Sequence, residues 1–477
     1  MNTISSNYAA IITIIKCAIG VGCFTLPLAF SEAGLWFAII STVALGYLSV
    51  YTLSLLIYCE RFVYYSIHNN KQTNNGISYE VINESVVTDD DDDNDNDNIQ
   101  ILLYPDLGAL IYPELSVHIF NRNINIIYIL ISLSIIFTSI GVSVAYINFI
   151  GETIPEVIID IYGHSITGIS QRTIPLFLLP LILLLSYLKT FKALAFTSIL
   201  GNIAVLIGCI VILVYGYRNM TSFNNKIFYE VVKINTVPEY FGNVSFLFAI
   251  HVVILPILQQ LRTSPSTVII PNTDIVSNTD NNIIIEKIEN DNTLIQRIIV
   301  VKWAYLFITT FNTGFGLVGY ILFSNQTCEE DARVGPCGNI LNNLVGIIVS
   351  PIKVLLCIDI LFTIPLVLAA ARELIENNLL EKDNKVFDIA NKHSSTIRIV
   401  IRSILVLFTF IIAVSFPQFA RSVNLVGGLI CSFIAYVIPP LLHNRVHSNS
   451  SYITININKV IILFGIILMI LTITFNN

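Results

Sequence analysis

Eleven apolar runs, most of them long enough to cross a bilayer, constrain this chain more tightly than any other feature. They cover residues 8–30, 35–58, 125–150, 173–188, 192–217, 240–261, 299–323, 346–370, 399–416, 421–442 and 458–475. A hydrocarbon core of ~30 Å takes about 20 mostly apolar residues as a helix, and a backbone exposed to lipid has to pair its own N–H and C=O groups. Only 12% of the 477 residues are charged, about half the share of a soluble domain, which is roughly 25%. The sequence therefore predicts an all-α membrane protein of about eleven transmembrane helices in one domain, 1–477. The first run is too long for a secretory signal core and lacks a small-x-small cleavage site, so it is expected to stay as a span.

Charge fixes an expected orientation. With the amino terminus cytoplasmic, seventeen lysines and arginines fall in inner segments and six in outer ones. That is a positive-inside bias, and it puts the carboxyl terminus outside. Much of the net charge of −7 lies in one tract, DDDDDNDND from Asp89 to Asp97. The Asn-rich loop around it, 63–124, reads as disordered and cytoplasmic, or else as a docking segment. Nothing is basic enough for nucleic acid. Cys328 and Cys337 share one outer loop, CEEDARVGPC, and are expected to form an exoplasmic disulfide. Asn219 and Asn325 head glycosylation triplets in outer loops, whereas that of Asn83 falls inside.

The first run, KCAIGVGCFTLPLAFSEAG in its second half, holds a lysine, two glycines and a proline. An anchor has no use for them. Gly20 and Gly22 permit a break, and a broken helix in a membrane is tolerated where its freed N–H and C=O groups meet a cavity or ligand. Small residues alone would equally suit close helix packing; Lys16 favours the break, because intramembrane charge is expensive and usually functional. The sixth run, SFLFAIHVVILPILQQLRTSP, repeats the theme with His251 and Pro256. A lone histidine there would ordinarily be a satisfied core residue. Two polar, interrupted spans in the first and sixth positions are what inverted five-helix halves, 8–217 and 218–442, would show, with 458–475 as an extra helix.

The chain also resembles the amino-acid/auxin permeases, which include sodium-coupled neutral and proton-coupled or vacuolar amino-acid transporters. The residues that carry the resemblance are AIGVGCFTLPLAFSEAG, GVSVAYINFIGETIP, LKTFKALAFTSILGNIAV, SFLFAIHVVILPILQQLRTSP, KVLLCIDILFTIPLVLAAARELIE and LVGGLICSFIAYVIPPLLH. They keep the order and spacing of the spans over nearly the whole length. The resemblance implies a LeuT-like five-plus-five inverted repeat and secondary transport of small neutral or cationic amino acids. By position it implies that Ala18, Ile19, Gly20, Val21, Gly22 and Cys23, with Phe248, Ala249, His251 and Val252, hold the solute's backbone groups. Tyr146 would face the same cavity, or serve only as a packing aromatic. Thr363 falls where the sodium-coupled branch has a sodium ligand, although it would equally back-bond to its own helix.

One departure bears on the coupling ion. Lys16 stands where the sodium-coupled branch has an asparagine, as in proton-coupled members. The expectation is therefore symport with H+, with Na+ disfavoured, through a cation site of Lys16, His251, Asp359 and Thr363. Asp359 is an intramembrane carboxylate that needs a partner, and Lys16 is one. No cofactor or metal is expected, and no phosphate loop or nucleophile–base pair points to an enzyme. The partners implied are an amino acid and the bilayer, in a plasma, vacuolar or lysosomal membrane; oligomeric state is not set. The competing reading is an amino-acid sensor of the same fold that signals through its cytoplasmic loops.

Overall fold

The apolar runs fold as helices, and most of the helices extend beyond them. The computed structural model describes residues 2–72, 103–119, 122–163, 173–187, 192–223, 231–259, 288, 291–323, 339–344, 346, 349–380, 394–447 and 451–475. The first span is split into α1 (Asn2–Ala18), a 3-10 turn (Val21–Thr25) and α2 (Leu26–Ala33). Next come α3 (Leu35–Gln72), the short α4 (Tyr104–Ile111), and a hairpin of β1 (Ser116–Ile119) and β2 (Arg122–Asn125), paired antiparallel with Ser116 opposite Asn125. Asn125 then caps α5 (Ile126–Tyr162), its side chain accepting from the N–H groups of Ile127 and Tyr128. Gly163 ends α5 at a φ of 72°, a left-handed value that suits glycine.

The remaining helices are α6 (Thr173–Ser186), α7 (Lys192–Phe223), α8 (Val237–Phe248), α9 (His251–Gln259), α10 (Asn292–Phe323), α11 (Ser350–Leu380) and α12 (Ser394–Ser415). Then α13 (Phe419–Leu425) runs through a π-helical stretch (426–437) into α14 (Ile438–Val446), and α15 (Tyr452–Phe475) follows. Among the described residues eight helices are long and apolar enough to cross a membrane, and nine if α1 and α2, bent by 47°, count as one span. Thr173–Ser186 and Ile203–Arg218 are apolar but shorter.

The reading of 63–124 as a single disordered loop is corrected at both ends. Helix α3 continues to Gln72, and α4 with the hairpin occupies much of 104–125. Helix α4 is held by burial: Tyr104 and Leu107 are buried, and a Cβ on Gly108 would strike Ile127 and Ile131 of α5. The acidic tract lies outside the described residues. So do Cys328, Cys337, Asn83 and Asn325. Asn219 sits in the last turns of α7.

Packing places the two broken spans in the middle. Helix α10 lies along α3 and α2, and α11 along α5 and α7. Phe24, Phe30, Phe248 and Tyr305 are wholly buried among them. The π-helical stretch crosses α8 so closely that a Cβ on Gly427 would run into the Gly242 carbonyl and Phe246. Only glycine fits there.

Candidate functional site

Helix α1 stops at Ala18 because Ile19 and Gly20 leave the helical conformation; Gly20 is extended, at φ −127° and ψ −165°. The chain resumes in the 3-10 turn, where Cys23 N–H donates to Gly20 O at 3.0 Å and the Thr25 hydroxyl to Gly22 O at 2.8 Å. Pro27 falls in the first turn of α2, where its missing N–H leaves no gap. No side chain caps the 3-10 turn, so its leading N–H groups carry the partial positive charge of a helix start. The two glycines then differ. A Cβ on Gly20 would meet nothing within 4 Å, whereas one on Gly22 would lie 3.0 Å from Leu247 Cδ2 and 3.1 Å from Phe246 Cε1. Gly20 borders open space; Gly22 is the contact between the broken spans.

The sixth span breaks at Ala249 and Ile250, between α8 and α9. Pro256 does not make this break, because it lies inside α9. The expected unwound stretch is correspondingly shorter, with Phe248 ending α8 and His251 and Val252 opening α9. The break is held by neighbours. Tyr305 of α10 donates to Phe248 O at 2.7 Å, Ile250 N–H donates to the same carbonyl at 3.1 Å, and the Phe248 and Tyr305 rings stack at 6.2 Å. His251 is fully buried, with Nε2 2.9 Å from Thr52 Oγ1 of α3.

Lys16 sits half-buried in the last turn of α1 and acts electrostatically on Asp359 of α11, without ion-pair contact among the described residues. Tyr146 of α5 is within electrostatic reach of Asp359 and of Cys17. Asp359 lies against α7, where a Cβ on Gly201 would overlap its carboxylate. Lys16 and Tyr146 thus share Asp359 as an electrostatic neighbour, the lysine lying in the last turn before the first break. Thr363 instead donates to Asp359 O at 2.8 Å within its own helix, and His251 is tied to α3. At one end of the bundle, buried pairs Arg61–Asp291 (2.6 Å) and Arg297–Glu60 (2.8 Å) join α3 to the start of α10.

Three features escaped sequence reasoning. Tyr305 gives no signal, being one aromatic in an apolar run. Asn312 of α10 is wholly buried with neither amide atom hydrogen-bonded, on the helix face that carries Tyr305 one way and Phe315 the other. The third was legible: Asn148, Glu152, Glu156 and Asp160 recur every fourth residue and form a polar stripe on α5.

A family model described as "Transmembrane amino acid transporter protein" matches residues 3–279 and 284–476. The vesicular GABA transporter of Caenorhabditis elegans is 24% identical over 262 residues, 54% of this chain and 46% of that protein. The amino acid transporter AVT3B of Arabidopsis thaliana is 29% identical over 147 residues, 30% of each chain. The human vesicular inhibitory amino acid transporter is 26% identical over 150 residues, 31% of this chain and 27% of that one. The match therefore spans less than half the length of each of these relatives. They are transporters and not enzymes by description, in line with the non-enzymatic reading of the sequence. With the family model covering nearly every residue, this integral membrane chain belongs to the transmembrane amino acid transporter family.

Proposed function

We propose that the protein is a secondary transporter of small neutral or cationic amino acids, coupled to protons and working by alternating access. The observation that carries the reading is the first break, where Gly20 borders open space four residues after Lys16, itself an electrostatic neighbour of Asp359. The uncapped N–H groups of the 3-10 turn suit a carboxylate, and Asp359 and free carbonyls suit an ammonium. Eleven spans follow if the two shorter apolar helices are counted with the nine, and the paired breaks then fall in the first and sixth, as an inverted repeat requires. Vesicular relatives support an internal membrane, and the lysine and arginine bias of the sequence supports a cytoplasmic amino terminus. Lys16 supports protons over sodium: an ammonium about 4 Å from a bound Na+ costs ~4 kcal/mol at an effective dielectric near 20. The relatives are transporters, which favours transport over the sensor reading.

The test is uptake of labelled amino acids by the purified protein in liposomes, in sodium-free buffer with an imposed pH gradient. Accumulation that follows the gradient is expected. Binding without accumulation would turn the reading toward a sensor, and uptake that needs sodium and ignores pH would overturn the proton.

A further inference from the structure

Two atoms of the polar stripe of α5 stand out. Glu152 is 2% exposed; its Oε1 accepts from Phe419 N–H at 2.7 Å, while Oε2, also buried, has no partner. One turn earlier, Asn148 is equally buried and donates through Nδ2 to Phe416 O at 2.7 Å and to Ser422 Oγ at 2.8 Å. Its Oδ1 has no partner either. Together the two side chains clasp the join between α12 and α13, where the tenth span begins. Both orphan atoms are acceptors, and residues four apart on a helix lie side by side, about 5–6 Å between Cβ atoms. A single proton on Glu152 Oε2 would give the pair the donor it lacks, with Asn148 Oδ1 one turn away as the acceptor.

The surrounding charge asks for that proton too. Glu156, one turn on, acts electrostatically on Glu152; the other ionisable groups on the elements packed here are Asp160 on α5, Lys353 and the Cys357 thiol on α11, and the exposed Arg421 on α13. The adjoining α6 and the 340–344 turn carry no ionisable side chain, and the arginines of α12 sit at its far end. Lys353, 1% exposed, is already engaged by Glu156 at 2.9 Å, Asp160 at 3.8 Å and Leu344 O at 2.9 Å. The buried ammonium is thus taken by Glu156 and Asp160, no cation among the described residues is hydrogen-bonded to Glu152, and an unpaired carboxylate in a low-dielectric interior is costly unless it is neutral. At His251 the balance runs the other way. Charging that buried imidazole would create a cation with no carboxylate hydrogen-bonded to it.

We infer that Glu152 carries the coupled proton, and that its protonation closes the clasp of α5 on the start of the tenth span. This rests on the proton-coupled reading above. In the closed state Oε2–H donates to Asn148 Oδ1. When that O–H bond breaks, the proton passes to water on the side of lower proton concentration and its electron pair stays on the carboxylate. The anionic Oε2 then faces the Asn148 amide oxygen, two acceptors repel, and the clasp opens.

The experiment compares the parent, Glu152→Gln and His251→Asn in liposomes, each checked for a monodisperse purified form. For the parent, one proton per solute gives about tenfold accumulation per pH unit of imposed gradient. Glu152→Gln, whose amide supplies the missing donor permanently, is expected to exchange labelled for unlabelled amino acid at equal pH on both sides. It should show no gradient-driven accumulation, while His251→Asn retains the parent's pH response. Accumulation by Glu152→Gln that tracks pH as the parent's does would overturn the inference. If the variant exchanges poorly, amino-acid binding in detergent at two pH values decides: a response lost in the variant supports it, and an unchanged one overturns it. A parent that ignores pH would instead refute proton coupling itself.

Discussion

At the first break the chain relies on glycine and leaves space; at the second it uses neither glycine nor proline and closes the gap with side chains from other helices. Gly20 looks onto a region where a Cβ would meet nothing within 4 Å. The carbonyl of Phe248, by contrast, receives two hydrogen bonds, one from Tyr305, and the adjacent His251 is anchored to Thr52. Freed backbone groups that have protein partners make a fixed brace. Freed groups beside open space make a receptor. The proposed transporter would then take its solute at the first break and use the second as a brace, with Gly22 as the point where they touch.

The largest effect should come from that point of contact. Gly22→Val adds a branched side chain where even Cβ would lie 3.0 Å from Leu247 and 3.1 Å from Phe246. Overpacking of this kind costs roughly 1–3 kcal/mol and forces the half-helices apart, so uptake should fall by about a hundredfold at the upper end. The variant should still reach the membrane, as surface labelling or fractionation would show. Normal uptake would mean that the two breaks need not meet.

Lys16→Asn removes the charge on the open side only. Asp359, half-buried against Gly201, loses its electrostatic partner, and uptake in sodium-free medium should fall roughly tenfold, ~1.4 kcal/mol. Sodium restoring the variant's uptake would show that the lysine occupies a cation's place. Unchanged uptake would show that Lys16 points away from the solute.

The same contrast explains what was legible in the sequence. The first break was, because Gly20, Gly22 and Lys16 are anomalies in an apolar run and local sequence causes the break. The second was only half legible. His251 and Pro256 drew attention to the right span, but the break lies at Ala249–Ile250, where Phe248 O accepts from Tyr305 more than fifty residues downstream. No local pattern encodes such a long-range bond. The helices were legible as apolar periods, whereas their extensions, such as α3 to Gln72 through polar residues, follow from continued hydrogen bonding rather than hydropathy. The acidic stripe of α5 was written at a spacing of four and was missed because its residues extend past the edge of the apolar run at 150.

Tyr305→Phe probes the braced side. It keeps the ring stacked on Phe248 and deletes one hydrogen bond, while Ile250 N–H still serves the carbonyl. The loss should be about 1 kcal/mol of stability, the low end for a buried bond, visible as a fall of no more than a few degrees in melting temperature. Uptake by the folded fraction should change little. A collapse of solute affinity with unchanged melting would move the solute to the second break.

The smallest effect is expected at Thr363, the residue that the family resemblance marks as a sodium ligand. Its hydroxyl donates to Asp359 O at 2.8 Å, a bond between residues four apart on the same helix. A hydroxyl engaged in this way has its one proton committed, although its oxygen keeps lone-pair capacity for a cation. If Lys16 stands in for that cation, the capacity goes unused. Thr363→Val then removes only a bond to a carbonyl that already accepts within the helix, at a cost well under about 1 kcal/mol. Sodium-free uptake should stay within roughly twofold of the parent. A loss comparable to that of Lys16→Asn would place Thr363 among the groups that hold the charge beside the first break. The open site would then extend from α1 onto α11 beyond Asp359.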